Sequence, residues 1–136
     1  MVVTVLAGAV ANADDTRPAV SGNTTPDSAS AAIARAEHAM SAARDAGNVW
    51  LETPSLVRRA RDAHAGGHYA RAIELADRAQ IQAGAALNQA LVGRARYFLR
   101  TRDDIDPVTR KAVIGLLRIN AGAEAVAVFG RQGYRP

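Results

Sequence analysis

Residues 56–76 read LVRRARDAHAGGHYARAIELA. Two amphipathic stretches meet at Gly66-Gly67. Before the glycines, Leu56, Val57, Ala60 and Ala63 recur at helical spacing and leave Arg58, Arg59 and Arg61 facing outward. After them, Tyr69, Ala72, Ile73 and Ala76 resume the same period. Two helical periods separated by a helix-ending glycine pair predict a helical hairpin, and the rest of the chain extends or flanks it.

Upstream, Thr53-Pro54 has the form of a helix start, since Thr can cap free N–H groups and Pro suits the first helical position. Val49-Trp50-Leu51-Glu52 is a short connector carrying the chain's single tryptophan. An earlier helix is predicted from Thr25-Pro26 to Gly47-Asn48, with Ile33, Ala36, Met40 and Ala43 on its apolar stripe. Downstream, the hairpin's second helix keeps its stripe through Ala79, Ala83, Leu87, Ala90 and Leu91, and can continue through Tyr97, Phe98 and Leu99. Asp106-Pro107 opens a fourth helix to about Asn120, with Val108, Val113 (or Ala112), Leu116 and Leu117 inside. Gly122 then breaks the pattern, residues 123–129 form a short last helix, and residues 130–136 read as frayed.

Composition agrees with an all-α fold. The 136 residues suit one domain. Alanine fills 31 positions, against two Phe, three Tyr and one Trp, so the core is thin and helical. The expected architecture is a small antiparallel helical bundle built on the hairpin, with a disordered N-terminal linker. No Cys is present, which excludes disulfides, thiol nucleophiles, thiolate metal sites and covalently attached c-type haem. No apolar run reaches the roughly 20 residues of a membrane-spanning helix.

Residues 2–11 are apolar and uncharged, and Ala11-Asn12-Ala13 is an A-x-A site of the kind that ends a secretory signal. No Lys or Arg precedes Arg17, so the positively charged start is missing, and a buried N-terminal strand or helix is the alternative. The expected organisation is a signal over 1–13, a flexible linker over 14–25, a helical domain over 26–101 and a helical extension over 102–136. The expected location is the periplasm.

Chemistry-bearing clusters are sparse. His64 and His68 have metal-ligand spacing, but Gly66-Gly67 interrupts the helix between them and no carboxylate joins them, so a solvated turn is expected. His38 stands alone on the first helix. Asp103, Asp104 and Asp106 lack calcium-loop spacing and read as helix capping and charge balance against Arg100 and Arg102. No phosphate-loop, dinucleotide, nucleophile-elbow or zinc-protease motif occurs, so no catalytic, cofactor or metal residue is assigned and no enzyme is expected. The 17 basic residues include 16 Arg and, against 13 acidic residues, give a net charge of +4. They are scattered and neighbour acids, with Arg58, Arg59 and Arg61 near Asp62, Arg71 near Glu74 and Arg78 near Asp77. This favours solvated faces or an acidic protein partner over nucleic acid. Gly67-x-Tyr69-x-x-Ala72 is similar to the hairpin turn of a tetratricopeptide repeat, but no 34-residue period follows, so no array is expected.

Residues 31–90, AAIARAEHAMSAARDAGNVWLETPSLVRRARDAHAGGHYARAIELADRAQIQAGAALNQA, resemble the SoxXA-binding protein family, the SoxK subunit of the SoxAX cytochrome complex. The resembling positions are Gly47, Trp50, Glu52, Thr53, Gly67, Tyr69, Ala72, Ile73, Leu75, Ala76, Gln82 and Gln89. Pro54 after Thr53, Arg in place of Lys, and residues 91–136 depart from the family's pattern. The resemblance implies a periplasmic accessory subunit that binds the c-type cytochrome SoxAX and supports thiosulfate oxidation, without haem or catalytic residues of its own. Trp50 and Tyr69 are then expected as anchors of the domain, and Trp50, Arg58, Arg59, Arg61 and Tyr69 as the partner-binding set. The alternative is a structural envelope protein of the DUF4398 type, which shares the Gly-x-Tyr-x-x-Ala rhythm.

Overall fold

The computed structural model describes residues 24–136. The expected signal and all but Thr24 and Thr25 of the expected linker lie outside the described residues. Five helices follow in order: α1 (Pro26–Asp45), α2 (Glu52–Ala65), α3 (Tyr69–Thr101), α4 (Pro107–Arg118) and α5 (Gly122–Arg131). No strand occurs among the described residues, and no helix there is long and apolar enough to cross a membrane. The fold is the expected all-α bundle.

Local chemistry sets the helix ends. At α1, the Thr25 hydroxyl accepts from the Ser28 N–H at 3.1 Å and the Ser28 hydroxyl accepts from the Thr25 N–H at 2.9 Å, with Pro26 in the first turn. At α4, one Asp106 carboxylate oxygen accepts from the N–H groups of Val108 and Thr109 at 3.0 and 2.9 Å. Four helices close alike: the carbonyls of Ala43, Ala63, Leu116 and Phe129 accept from an N–H five residues on, at 2.8–2.9 Å. This needs a left-handed residue in the turn, supplied at the hairpin by Gly67 (φ +76°) and after α4 by Asn120 (φ +58°).

The start of α2 departs from the sequence reading. The helix begins at Glu52, so Thr53 lies within its first turn and is buried. Its hydroxyl donates to Gln82 Oε1 on α3 at 3.3 Å instead of capping its own helix. Pro54 still falls within the first turn, where no N–H is required.

α3 is the spine. At 1.5 Å per residue its 33 residues span about 50 Å. α1 and α2 pack along its N-terminal half, α4 and α5 along its C-terminal half, and the two pairs do not pack on each other. The first core joins Ala32, Ile33 and Ala36 to Leu56, Val57 and Ala60, and to Leu75, Ala76 and Ala79 of α3. Ala43, Ala83 and Ala86 extend it. The second core holds Ala95 and Phe98 of α3 with Ile105, Val113, Ala125 and Phe129.

These cores lie on different faces of α3. At 100° per residue, the face centred on Ala72, Ala79 and Ala83 is roughly 150° around the helix from that of Val92, Ala95 and Phe98. The single stripe read from sequence therefore ends near Ala86, and Ala90 and Leu91, expected inside, are only half-buried.

Three further expectations change at the C-terminal end. Val108, expected inside, is 79% exposed, because it lies about 140° around α4 from the buried Val113; Thr109, about 40° away, is buried instead. Gly122 does not interrupt the helices but opens α5, buried against α3. The 130–136 segment is held: Tyr134 stacks edge-on with Phe98 and Phe129, both at 6.1 Å, and its hydroxyl donates to the Asp104 carbonyl at 2.9 Å.

Candidate functional site

Because the two helix pairs occupy different faces of α3, a strip along that helix is left without a covering helix. Arg78, Gln82, Ala85, Gln89 and Arg96 lie along it on one face, with the buried Val92 at its edge against the start of α5. Every one of them lines one of three recesses. The first is formed by Glu52, Ser55, Leu56, Arg59 and Arg78. The second, of about 420 Å³, is formed by Val49, Trp50, Leu51, Glu52 and Gln82. The third, of about 390 Å³, is formed by Trp50, Ala85, Asn88, Gln89, Val92, Arg96 and Asn120. Glu52 is common to the first two and Trp50 to the last two, so the recesses share walls and follow one another along α3 as a segmented groove.

Hydrogen bonds fix the walls. Asn48 Nδ2 donates to the Ala86 carbonyl at 2.8 Å and to Gln89 Oε1 at 3.4 Å, pinning the Trp50 connector to α3. Gln82 Nε2 donates to Glu52 Oε2 at 3.4 Å. At the far end, Asn88 works in both directions: its Nδ2 donates to the Asn120 carbonyl at 2.8 Å, and its Oδ1 accepts from the Gly122 N–H at 2.9 Å. A Cβ on Gly122 would sit 2.8 Å from the Asn88 backbone oxygen, so only glycine lets α5 approach this closely.

The groove is apolar where Trp50, Leu51 and Ala85 line it, is interspersed there with Gln82, Asn88 and Gln89, and has arginine at both ends. Trp50 is 41% exposed and Leu51 95% exposed, while Ile81, one residue before Gln82 on α3, is 72% exposed. Arg59 and Arg78 mark one end, where Glu52 lines the same recess, and Arg96 marks the other.

Of the five residues expected to bind a partner, the structure brings Trp50 and Arg59 to the groove. Trp50 is a half-exposed wall and not a buried anchor. Arg61 points to α1, where it pairs with Glu37 at 2.6 Å and not with Asp62. Arg58 is exposed on the outer face of α2. Tyr69 is half-buried at the opposite end of α2, edge-on to His64 at 5.5 Å. Ala85 and Val92 are lining residues that the sequence reading did not name, and Arg78 was read there only as a neighbour of Asp77. Their signal was the 4-3 spacing of a second, mostly polar strip.

His64, Asp104 and Asp106 make contacts that tie the fold together. His64 Nε2 lies 2.9 Å from Ser30 Oγ and 3.2 Å from the Pro26 carbonyl, tying the end of α2 to the start of α1. Arg102 pairs with Asp104 at 2.6 Å, and this bond holds the Asp104 carboxyl below its ordinary range. Arg71 pairs with Glu74 as read from sequence. No group of three or more His, Asp or Glu side chains among the described residues is arranged to hold a metal ion.

Comparison with protein-family models, curated proteins and solved structures finds no match to this chain.

Proposed function

We propose that this protein is a non-catalytic accessory subunit of the periplasm that binds the SoxAX c-type cytochrome and supports thiosulfate oxidation. One observation carries the reading. Trp50, Glu52, Gln82 and Gln89, which come from separate segments and take part in the family resemblance, line the same open groove. A binding module needs such a surface, with a half-exposed aromatic beside arginine, the residue types that dominate interface energetics.

The test is co-purification from native periplasm. The expected result is that the haem-containing SoxAX complex travels with the protein and that Trp50→Ala with Arg59→Glu weakens the association. A protein that passes through as a stable species without the cytochrome, in either form, overturns the reading. Recovery with outer-membrane proteins instead would support the envelope alternative.

A further inference from the structure

We propose that the groove along α3 receives an α-helix of a partner protein, apolar in its middle and carrying carboxylates at both ends. The proposal rests on the reading of this protein as a partner-binding subunit but not on the partner's name.

Shape argues for a helix. The strip from Arg78 to Arg96 runs about 27 Å at 1.5 Å per residue, a straight uncovered face as long as about five turns of a second helix laid along it. Ala85 leaves room at the centre for a large side chain, which Trp50 would flank in the same recess.

Charge decides the occupant. Arg59 and Arg78 flank one end and Arg96 the other. A second copy of this chain fits poorly: laid parallel, α3 would set Arg78 beside Arg78 and Arg96 beside Arg96; laid antiparallel, Arg78 beside Arg96. Both arrangements bring like charges together, whereas carboxylates near both ends of a foreign helix would complement all three arginines. At the Arg96 end the surrounding charge points the same way, since residues 88–136 carry nine basic and four acidic side chains, whereas residues 24–87 are balanced at seven each.

Trp50 is the only tryptophan, so the emission of the full chain reports the groove directly. The probes are two synthetic, Trp-free helices of roughly 20 residues, with leucine at heptad spacing in the middle and either glutamate or lysine at both ends. The glutamate peptide is expected to shift Trp50 emission to the blue. Arg78→Glu with Arg96→Glu should weaken it by about tenfold or more and strengthen the lysine peptide. Arg78→Gln with Arg96→Gln, a milder change, should give a smaller loss, and circular dichroism checks that both variants keep their helicity. Equal binding of the two peptides, no shift of Trp50, unchanged affinity in the variants, or a dimer by light scattering each overturns the proposal. Should the acidic peptide bind where purified SoxAX does not, the groove stands and the partner's identity falls. SoxAX binding that ignores both double variants would remove the groove alone.

Discussion

Around the N-terminal half of α3, Ala29, Ala32, Ala36, Ala43, Ala60, Ala72, Ala76, Ala79, Ala83 and Ala86 are all at most 1% exposed. Around the C-terminal half, the buried set is led by Phe98, Phe129, Ile105 and Val113, with Tyr134 packed against it. A buried methyl removes little apolar surface, so the first half relies on close backbone approach and its dispersion contacts, with Ile33, Leu56, Val57 and Leu75 as its larger buried side chains. The second half is held by bulk: the Phe98 and Phe129 rings meet edge to face at 4.8 Å, with Arg102 over Phe98 at 5.3 Å. Charge divides similarly. Residues 24–87 carry seven basic and seven acidic side chains, so the net positive charge of the described residues resides in 88–136. One helix thus supports two cores that should fail in different ways.

The sharpest contrast is truncation. Phe129 is fully buried, and Phe129→Ala should cost about 3–5 kcal/mol in urea unfolding. No side chain of that size is fully buried in the alanine-built half. If that variant lost less than about 1 kcal/mol, the second core would not be a packed unit at all.

The alanine half should instead be vulnerable to enlargement. Ala79→Leu places three more carbons where α3 faces α1 and α2, and should cost about 1–3 kcal/mol or more. At the exposed Ala85 the same change should leave stability within about 0.5 kcal/mol. Equal effects at the two positions would mean that burial along α3 is not one-sided there.

Gly122→Ala tests the joint between the regions. Its Cβ would meet the backbone of Asn88 and Val92, which cannot swing aside as a side chain tip can. A loss of about 1–3 kcal/mol is expected, and Asn88→Ala should show a similar loss by leaving the Gly122 N–H and the Asn120 carbonyl without their partner. Unfolding of both variants followed by Trp50 emission and by circular dichroism would show whether the groove opens with the joint.

Much of this was legible in the sequence. Helical period, the Thr25-Pro26 and Asp106-Pro107 starts and the Gly67 turn are local signals, and the structure uses each of them. What periodicity hid is the change of partner along α3. The 3.6-residue period runs unbroken while the buried face moves around the helix, so Ala90 and Leu91 looked continuous with Ala83 although a different face becomes the core. The groove was obscured for the same reason: Arg78 read as a neighbour of Asp77, and Gln82 and Gln89 entered only through the family resemblance, so nothing joined them into one face. Only the packing of α1 and α2 on one side and of α4 and α5 on another shows that their strip stays uncovered. Thr53 was misread because a Thr-Pro pair looks alike whether its hydroxyl caps its own helix or reaches Gln82 on another.

The two regions also differ in how their helices are capped, and this gives the smallest effect. α1 is capped by the Thr25 hydroxyl, which does not titrate in the working range. α4 is capped by the Asp106 carboxylate, held below its ordinary range chiefly by the Thr109 hydroxyl and further by the N–H groups of Thr109 and Val108. Arg102 holds Asp104 down in the same way. A carboxyl depressed in the folded state favours folding fully above its unfolded value, near 3.8–3.9, and loses that contribution as the pH falls through the folded value. Lowering the pH from neutral to roughly 3 should therefore raise amide exchange in the first turn of α4 relative to the first turn of α1. Asp106→Asn keeps an oxygen acceptor at every pH and should remove most of that dependence, and adding Asp104→Asn should remove the remainder. If acid loosened the first turn of α1 as readily, the carboxylate cap would not be what distinguishes the two ends, and the excess positive charge of residues 88–136 would have to be tested by the salt dependence of the same exchange.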